Sequence, residues 1–267
     1  MRITTRNARF QQWESYLGNR TKRTRAGVFL VQGVRPISLA LDAGWPIDTV
    51  IHRVGALSEW ANGVLDRAPR DADRVAMSEE LMRELGEKDA GAPEVLLVAT
   101  QRHPSLDDLE LADDALVVVA DRSSSPGNLG TLIRSADAFG AAAVVTTGHA
   151  ADPYDPQCVR ATTGSLFGIP VVQAESAEAV LAWRDRRESR LTVVGLDERG
   201  DRDLFDADLR SGTVLVVGNE TRGMSRAWPD GCDVIARIPI GGSASSLSAP
   251  SAGTVALYEA SRQRLGR

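Results

Sequence analysis

"VLVVGNETRGMS" (residues 214–225) and "ARIPIGGSASSLSAPSAGTVALYEAS" (residues 236–261) close the chain and decide how it folds. The apolar run 214–217 reads as a buried strand. Gly218 ends it, and polar, glycine-bearing residues follow, a setting in which backbone groups can approach a ligand. A second short strand is expected over 235–240. A Gly/Ser loop then feeds a terminal helix beginning near Ser248. Read blandly, these are two αβ turns joined by a flexible linker. A linker needs a domain after it, however, and only about one helix follows.

Upstream, "SPGNLGTLIRSADAFGA" (residues 125–141) predicts a helix over 128–139, with Leu129, Leu132, Ile133, Ala136 and Phe139 on one face toward a sheet. Asn128 sits at its start and Arg134 on its polar side. Taken alone, these are a helix cap and a solvated arginine. Together with the two closing segments, in this order and spacing, the stretch resembles the SPOUT RNA ribose 2′-O-methyltransferases of the TrmH-like branch, over roughly residues 116–259. The resemblance implies a parallel α/β sheet whose last segment is threaded into a trefoil knot that binds S-adenosylmethionine. It implies that Asn128 orients the target ribose, that Arg134 meets the phosphate and 2′-hydroxyl, and that Glu220 and Ser246 belong to the active site. Leu196, Gly218, Asn219, Gly223, Ile238, Pro239 and Leu247 match positions that enclose the cofactor. Where the family reads Ser-Leu-Asn, this chain reads Ser246-Leu247-Ser248, so a catalytic role for Ser248 must be met with a shorter hydroxyl. Arg134 has two candidate roles, general base or electrostatic support. Its guanidinium is effectively never deprotonated, and stabilising a developing alkoxide is the more conservative of the two.

The remaining 267-residue chain sets bounds on this reading. Its 43% hydrophobic content can fill one large core or two ordinary ones. No 18-residue apolar run is present, so no transmembrane helix is expected. The N-terminus lacks a signal core, and a cytoplasmic protein is expected. Cys158 and Cys232 have neither metal-ligand nor disulfide-framework spacing. His52, His103 and His149 are scattered, and no GxGxxG, Walker or GxSxG motif occurs, so neither a metal site nor a hydrolase triad is supported. The net charge of −5 conceals an asymmetry. Residues 1–35 carry eight basic residues against Glu14 alone, a net +7, which leaves −12 on the remainder. A positive head on an acidic body points to a polyanionic partner.

Before residue 106, short apolar runs alternate with helical spacing. Phe10, Trp13, Tyr16 and Leu17 mark a helix, "RTKRTR" (residues 20–25) a loop and "GVFLVQG" (residues 27–33) a strand, and a small α/β layer domain follows. "FLVQGVR" resembles the ribosomal-protein-like auxiliary RNA-binding domain of the same methyltransferases, with Gln32 where the family usually has Glu. The polar, proline-containing stretch 102–114 separates domains 1–106 and 107–267. Arg20, Lys22, Arg23, Arg25 and Arg35 are the expected RNA contacts. The resulting expectation is an S-adenosylmethionine-dependent ribose 2′-O-methyltransferase acting as a homodimer on ribosomal RNA, with 23S rRNA first, in a branch that includes antibiotic-resistance enzymes. The alternatives are a tRNA methyltransferase of the same fold and a non-catalytic RNA-binding protein.

Overall fold

The computed structural model describes residues 1–86 and 91–265. Packing divides the chain into two units, Met1–Arg102 with Tyr154–Gly168, and His103–Pro153 with Ile169–Arg267. The first unit begins with β1 (Arg2–Ile3), α1 (Ala8–Gly18), α2 (Arg20–Ala26), β2 (Val28–Val31) and α3 (Val34–Asp42). It continues through β3 (Ile47–Arg53), α4 (Glu59–Arg67), β4 (Asp73–Met77), α5 (Glu79–Leu85) and β5 (Val95–Thr100). Its sheet runs β1-β4-β3-β5-β2, with β5 antiparallel to both neighbours. Phe10, Trp13 and Tyr16, the apolar side of α1, pack with Leu30, Ile51 and Val98 in its core.

The second unit contains β6 (Leu116–Asp121), α6 (Pro126–Ala138), β7 (Ala143–Thr147), β8 (Val171–Ala174), α8 (Ala177–Asp185) and β9 (Thr192–Leu196), with α7 (Pro156–Thr162) passing to the first unit. Then come β10 (Arg202–Asp203), β11 (Thr213–Val217), α9 (Ala227–Gly231), β12 (Val234–Arg237) and α10 (Ala249–Leu265). All seven strands are parallel, in the order β10-β12-β9-β11-β6-β7-β8. The central β6, β7 and β11 are buried throughout, which is why they read as unbroken apolar runs. On one face, Val117, Val119, Val214 and Val216 meet Val180, Trp183 and Trp228 of α8 and α9. α10 packs on α6 and β11. Gly253 makes that approach possible, because a Cβ there would lie 2.6 Å from Leu132 Cδ1.

β12 pairs with β9 on the side away from β11, and the chain then returns to bring α10 against β11. This return is the stretch in which the resemblance places its knot. β12 ends at Arg237, short of the expected residue 240. Pro239 has no N–H for a ladder, and residues 238–240 join the loop instead. The two-residue strands β1 and β10 and the short α9 carry too little periodicity to be expected from sequence.

Two further differences concern the N-terminal unit. The basic run 20–25 is helical, because the Asn19 side chain accepts from Lys22 N and Gly27, at φ +66°, closes the C-terminus. Arg23, expected to contact RNA, is 1% exposed. Its guanidinium donates to Tyr16 O at 2.6 Å and to Asp155 Oδ2 at 3.1 Å. One turn of helix places it inward while Arg20, Lys22 and Arg25 stay exposed. The sequence pattern puts one boundary near residue 106, whereas packing returns Tyr154–Gly168 to the first unit. There Tyr154 lies 4.7 Å from Phe29 between ring centroids, and Phe167 meets the edge of Trp45 at 5.1 Å. Such long-range aromatic contacts have no local signature. Arg6 and Arg9 are also engaged, with Glu14, Glu84 and Asp73. The free positive charge of the head is therefore smaller than its composition suggests.

Arg23→Ala is expected to lower unfolding free energy by about 2–4 kcal/mol in urea titrations, toward the low side of losing one partner of a buried pair because Asp155 keeps partial solvent access. A loss below about 0.5 kcal/mol, the range of an ordinary surface substitution, would contradict the buried role.

Candidate active site

The carboxyl ends of parallel strands, where backbone groups are released from the ladder, are where open α/β sheets bind ligands. Here the ends of β9 and β11 open onto a cleft of about 420 Å³. Its walls include Leu196, Gly218, Asn219, Glu220, Gly223, Ile238, Ser246 and Leu247. Eight sequence-expected positions thus converge from three separated segments. Gly218 is required sterically, since a Cβ would lie 2.5 Å from Gly223 C and Met224 N. The turn Asn219–Gly223 closes on itself by two reciprocal backbone hydrogen bonds of 3.0 Å. Asn219 Oδ1 also accepts from Thr221 N and Arg222 N, at 3.0 and 3.1 Å.

Asn128 meets this turn from α6. Ser125, not Asn128, caps that helix, its Oγ accepting from Asn128 N at 3.4 Å. Asn128 is therefore free for another task. Its Nδ2 donates to Glu220 Oε1 at 3.0 Å. Ser123 Oγ donates to the same oxygen at 3.3 Å, while Asn219 Nδ2 and Ser124 Oγ approach Oε2 at 3.2 and 3.5 Å. Burial raises the Glu220 pKa, but hydrogen bonds from Asn128, from the backbone of Glu220 and Ser124, and from Ser123 outweigh it and hold the carboxyl below its ordinary 4.5. Glu220 is thus an ionised acceptor already occupied by donors, an orienting group and a poor base. With Asn128 Nδ2 committed, Asn128 Oδ1 has no partner among the described residues and is the atom left to accept a hydroxyl.

Other expected residues fall elsewhere. Arg134 is exposed on α6 and lines neither the cleft nor the small cavity beside Asn128 and Ser123. Pro239 is outside the cleft wall. Ser248 Oγ donates to Ser251 Oγ at 2.8 Å and Ser248 O accepts from Ala252 N at 2.9 Å, so this residue starts α10 and does not line the cleft. Sequence reasoning missed Asp197, Glu198 and Arg199 at the end of β9, together with Thr221 and Arg222. "LDERG", following an apolar strand, is the signal that could have marked the first three. No group of three His, Cys, Asp or Glu residues placed to hold a metal occurs among the described residues.

Against known families, residues 115–258 match the SpoU rRNA Methylase family and residues 7–97 match the SpoU L30e-like domain. The chain belongs to the SpoU rRNA methylase family. A 23S rRNA (uridine(2479)-2′-O)-methyltransferase of Streptomyces viridochromogenes is 51% identical, over 99% of this chain and 93% of that protein. The crystal structure of the SpoU methyltransferase AviRb from the same organism, in complex with the cofactor AdoMet, is similar with a TM-score of 0.92 and 50% identity, covering 97% of this chain and 99% of that one. The 23S rRNA (guanosine-2′-O-)-methyltransferase RlmB of Pseudomonas aeruginosa is 31% identical over 84% of this chain and 81% of its own length. This SpoU methylase therefore has full-length relatives in which both units are present.

Gly218→Ala is expected to weaken S-adenosylmethionine binding at least tenfold in calorimetric titration, about 1.4 kcal/mol, because the new methyl group pushes the 219–223 turn out of place. Unchanged affinity would show that the turn does not shape the cofactor site.

Proposed function

We propose that this SpoU methylase transfers the methyl group of S-adenosylmethionine to a ribose 2′-hydroxyl of 23S ribosomal RNA, and that it does so as a homodimer. The observation that carries this reading is the Asn128–Glu220 pair beside the cleft at the ends of β9 and β11. The cleft suits the cofactor in size and lining. Its volume lies within the usual range for small-ligand sites of ~300–1,000 Å³. Leu196, Ile238 and Leu247 offer apolar walls, and Gly218 and Gly223 allow close backbone approach. When bound, the cofactor supplies a methyl group already activated on a sulfonium.

The chain's own residues then have positional tasks. Glu220 fixes the amide of Asn128, and Asn128 Oδ1 accepts the ribose hydroxyl, holding its oxygen for in-line attack. Alignment of this kind is the main gain available to a displacement reaction. Arg134 holds an RNA phosphate and, as the 2′-hydroxyl proton passes to solvent water, stabilises the alkoxide character of the oxygen while its bond to the methyl carbon forms, the carbon–sulfur bond breaks and S-adenosylhomocysteine leaves. It lies outside its own cleft wall, and in the proposed homodimer one copy's Arg134 serves the other copy's cleft. Val255 and Tyr258 on α10 are 39% and 58% exposed, and Tyr258 meets Phe139 at 6.0 Å. This unpaired apolar surface supports self-association through α6 and α10. Ribosomal RNA is favoured over tRNA by the auxiliary unit and by the full-length similarity to 23S rRNA enzymes. Lys22, Arg25 and Arg35 remain exposed for phosphate contacts in the auxiliary unit.

Mapping 2′-O-methylation on 23S rRNA with and without the protein is the direct test. One new modified nucleotide is expected, with the uridine named for the Streptomyces viridochromogenes relative the first to inspect. Methylation confined to tRNA, or absent, would overturn the reading. Antibiotic sensitivity of cells carrying the modified ribosomes then tests a role in resistance.

The placement of Arg134 has its own test. Arg134→Ala and Glu220→Ala are each expected to be nearly inactive. After subunit exchange, their mixture should recover about a quarter of wild-type sites, since half of the dimers then hold one intact composite site. No recovery in demonstrably mixed dimers would place Arg134 in its own subunit's site.

A further inference from the structure

Two residues outside the cleft hold the cofactor turn in place. Asp121, the last residue of β6, is 1% exposed. A buried carboxylate is costly unless it is paired, and this one is surrounded by donors. Its Oδ2 accepts from Ser225 N at 2.7 Å and from Arg122 Nε at 3.2 Å. Its Oδ1 accepts from Thr147 Oγ1 at 2.8 Å and from Ser225 Oγ at 3.4 Å. Ser225 lies just beyond the Asn219–Gly223 turn, so Asp121 fastens its downstream side.

Arg122 fastens the turn itself. Its φ of +52° is one of two positive values among non-glycine residues in the described chain. An L-residue with a side chain adopts that conformation only where surrounding interactions enforce it, and such residues concentrate at functional sites. Here the geometry puts three Arg122 groups to use. The backbone N–H donates to Thr147 O at 3.1 Å, the carbonyl accepts from Asn219 Nδ2 at 2.8 Å, and Nη2 donates to Gly223 O at 3.1 Å. Arg122 thus holds both ends of the turn, Asn219 and Gly223, while Nε ties its side chain to Asp121. The same turn forms one wall of the cleft and carries Glu220 to Asn128.

We propose that Asp121 and Arg122 are positioning residues that set the cofactor turn in register with the Asn128–Glu220 pair, so that the methyl donor and the ribose acceptor are aligned through one clamp. This rests on the functional reading above. A merely structural role is the competing account, and the positive φ separates the two. Glycine at position 122 would relieve the backbone constraint while removing the guanidinium.

The test compares wild type, Arg122→Gly, Arg122→Lys and Asp121→Asn. Hydrogen exchange at the Asn219, Gly223 and Ser225 amides is measured in the free protein, S-adenosylmethionine affinity by calorimetry, and global stability by thermal unfolding. Arg122→Gly is expected to shift the melting temperature little, because relief of the positive φ offsets the lost pairing of Asp121, to speed exchange in the turn, and to weaken cofactor binding about tenfold, equivalent to about 1.4 kcal/mol. Arg122→Lys retains charge without the fork that spans two acceptors, and is expected to restore only part of the affinity. Asp121→Asn introduces a donor among donors and should disturb Ser225 most. The proposal is overturned if Arg122→Gly leaves exchange in the turn unchanged, or if its cofactor affinity stays within twofold of a wild type that binds. Failure of wild type itself to bind would instead remove the functional reading, while faster exchange in Arg122→Gly would still uphold the clamp.

Discussion

The Glu220 carboxylate is the point on which this site depends. It joins the turn after β6 to the turn after β11, two segments about ninety residues apart in sequence, through donors from Ser123, Ser124, Asn128 and Asn219. An ionised acceptor with this many donors fixes each donor's orientation as well as its own. The functional result is asymmetric. Glu220 has little capacity left to take a proton, while the amide it anchors keeps its carbonyl oxygen open. A residue that looks like a base by type is therefore placed as a holder by geometry.

Much of this architecture could be read from the sequence because fully buried parallel strands leave a plain record. Residues 116–121 and 213–217 are apolar almost without break, since both faces are covered. The glycine after β11 was legible for a similar reason: the backbone of Gly223 and Met224 leaves no room for a side chain at Gly218. The family resemblance then selected the cleft residues, and the folded chain brings most of them to one wall. By contrast, composition could not show that Arg23 turns inward to Asp155, more than a hundred residues away. Nor could it show that Arg6 and Arg9 are engaged with carboxylates. Charge counts register sign and not direction. Nor could composition show that the helix starts two residues early, at Pro126, so that the capping role falls to Ser125 and not to Asn128.

Ser248, where the resemblance implies an asparagine, also has a physical setting. The hydroxyl is used at the start of α10, bonded to Ser251, away from the cleft wall. α10 packs against α6 and β11, where Gly253 allows the close approach. Ser246, two residues earlier, is the serine of this loop that faces the cleft. The loop thus divides its labour: Ser246 and Leu247 contribute to the cleft, and Ser248 to the helix that backs it.

In the proposed mechanism Asn128 and Glu220 act as one unit in placing the ribose hydroxyl. A double-mutant cycle of Asn128→Ala and Glu220→Ala tests it most directly, read as the single-turnover rate of methyl transfer to 23S rRNA at saturating cofactor and RNA. Residues that work as a unit give grossly non-additive losses. The double variant is expected to be slower than the slower single variant by no more than about threefold, or ~0.7 kcal/mol of barrier. Losses that multiply across the two positions would contradict it.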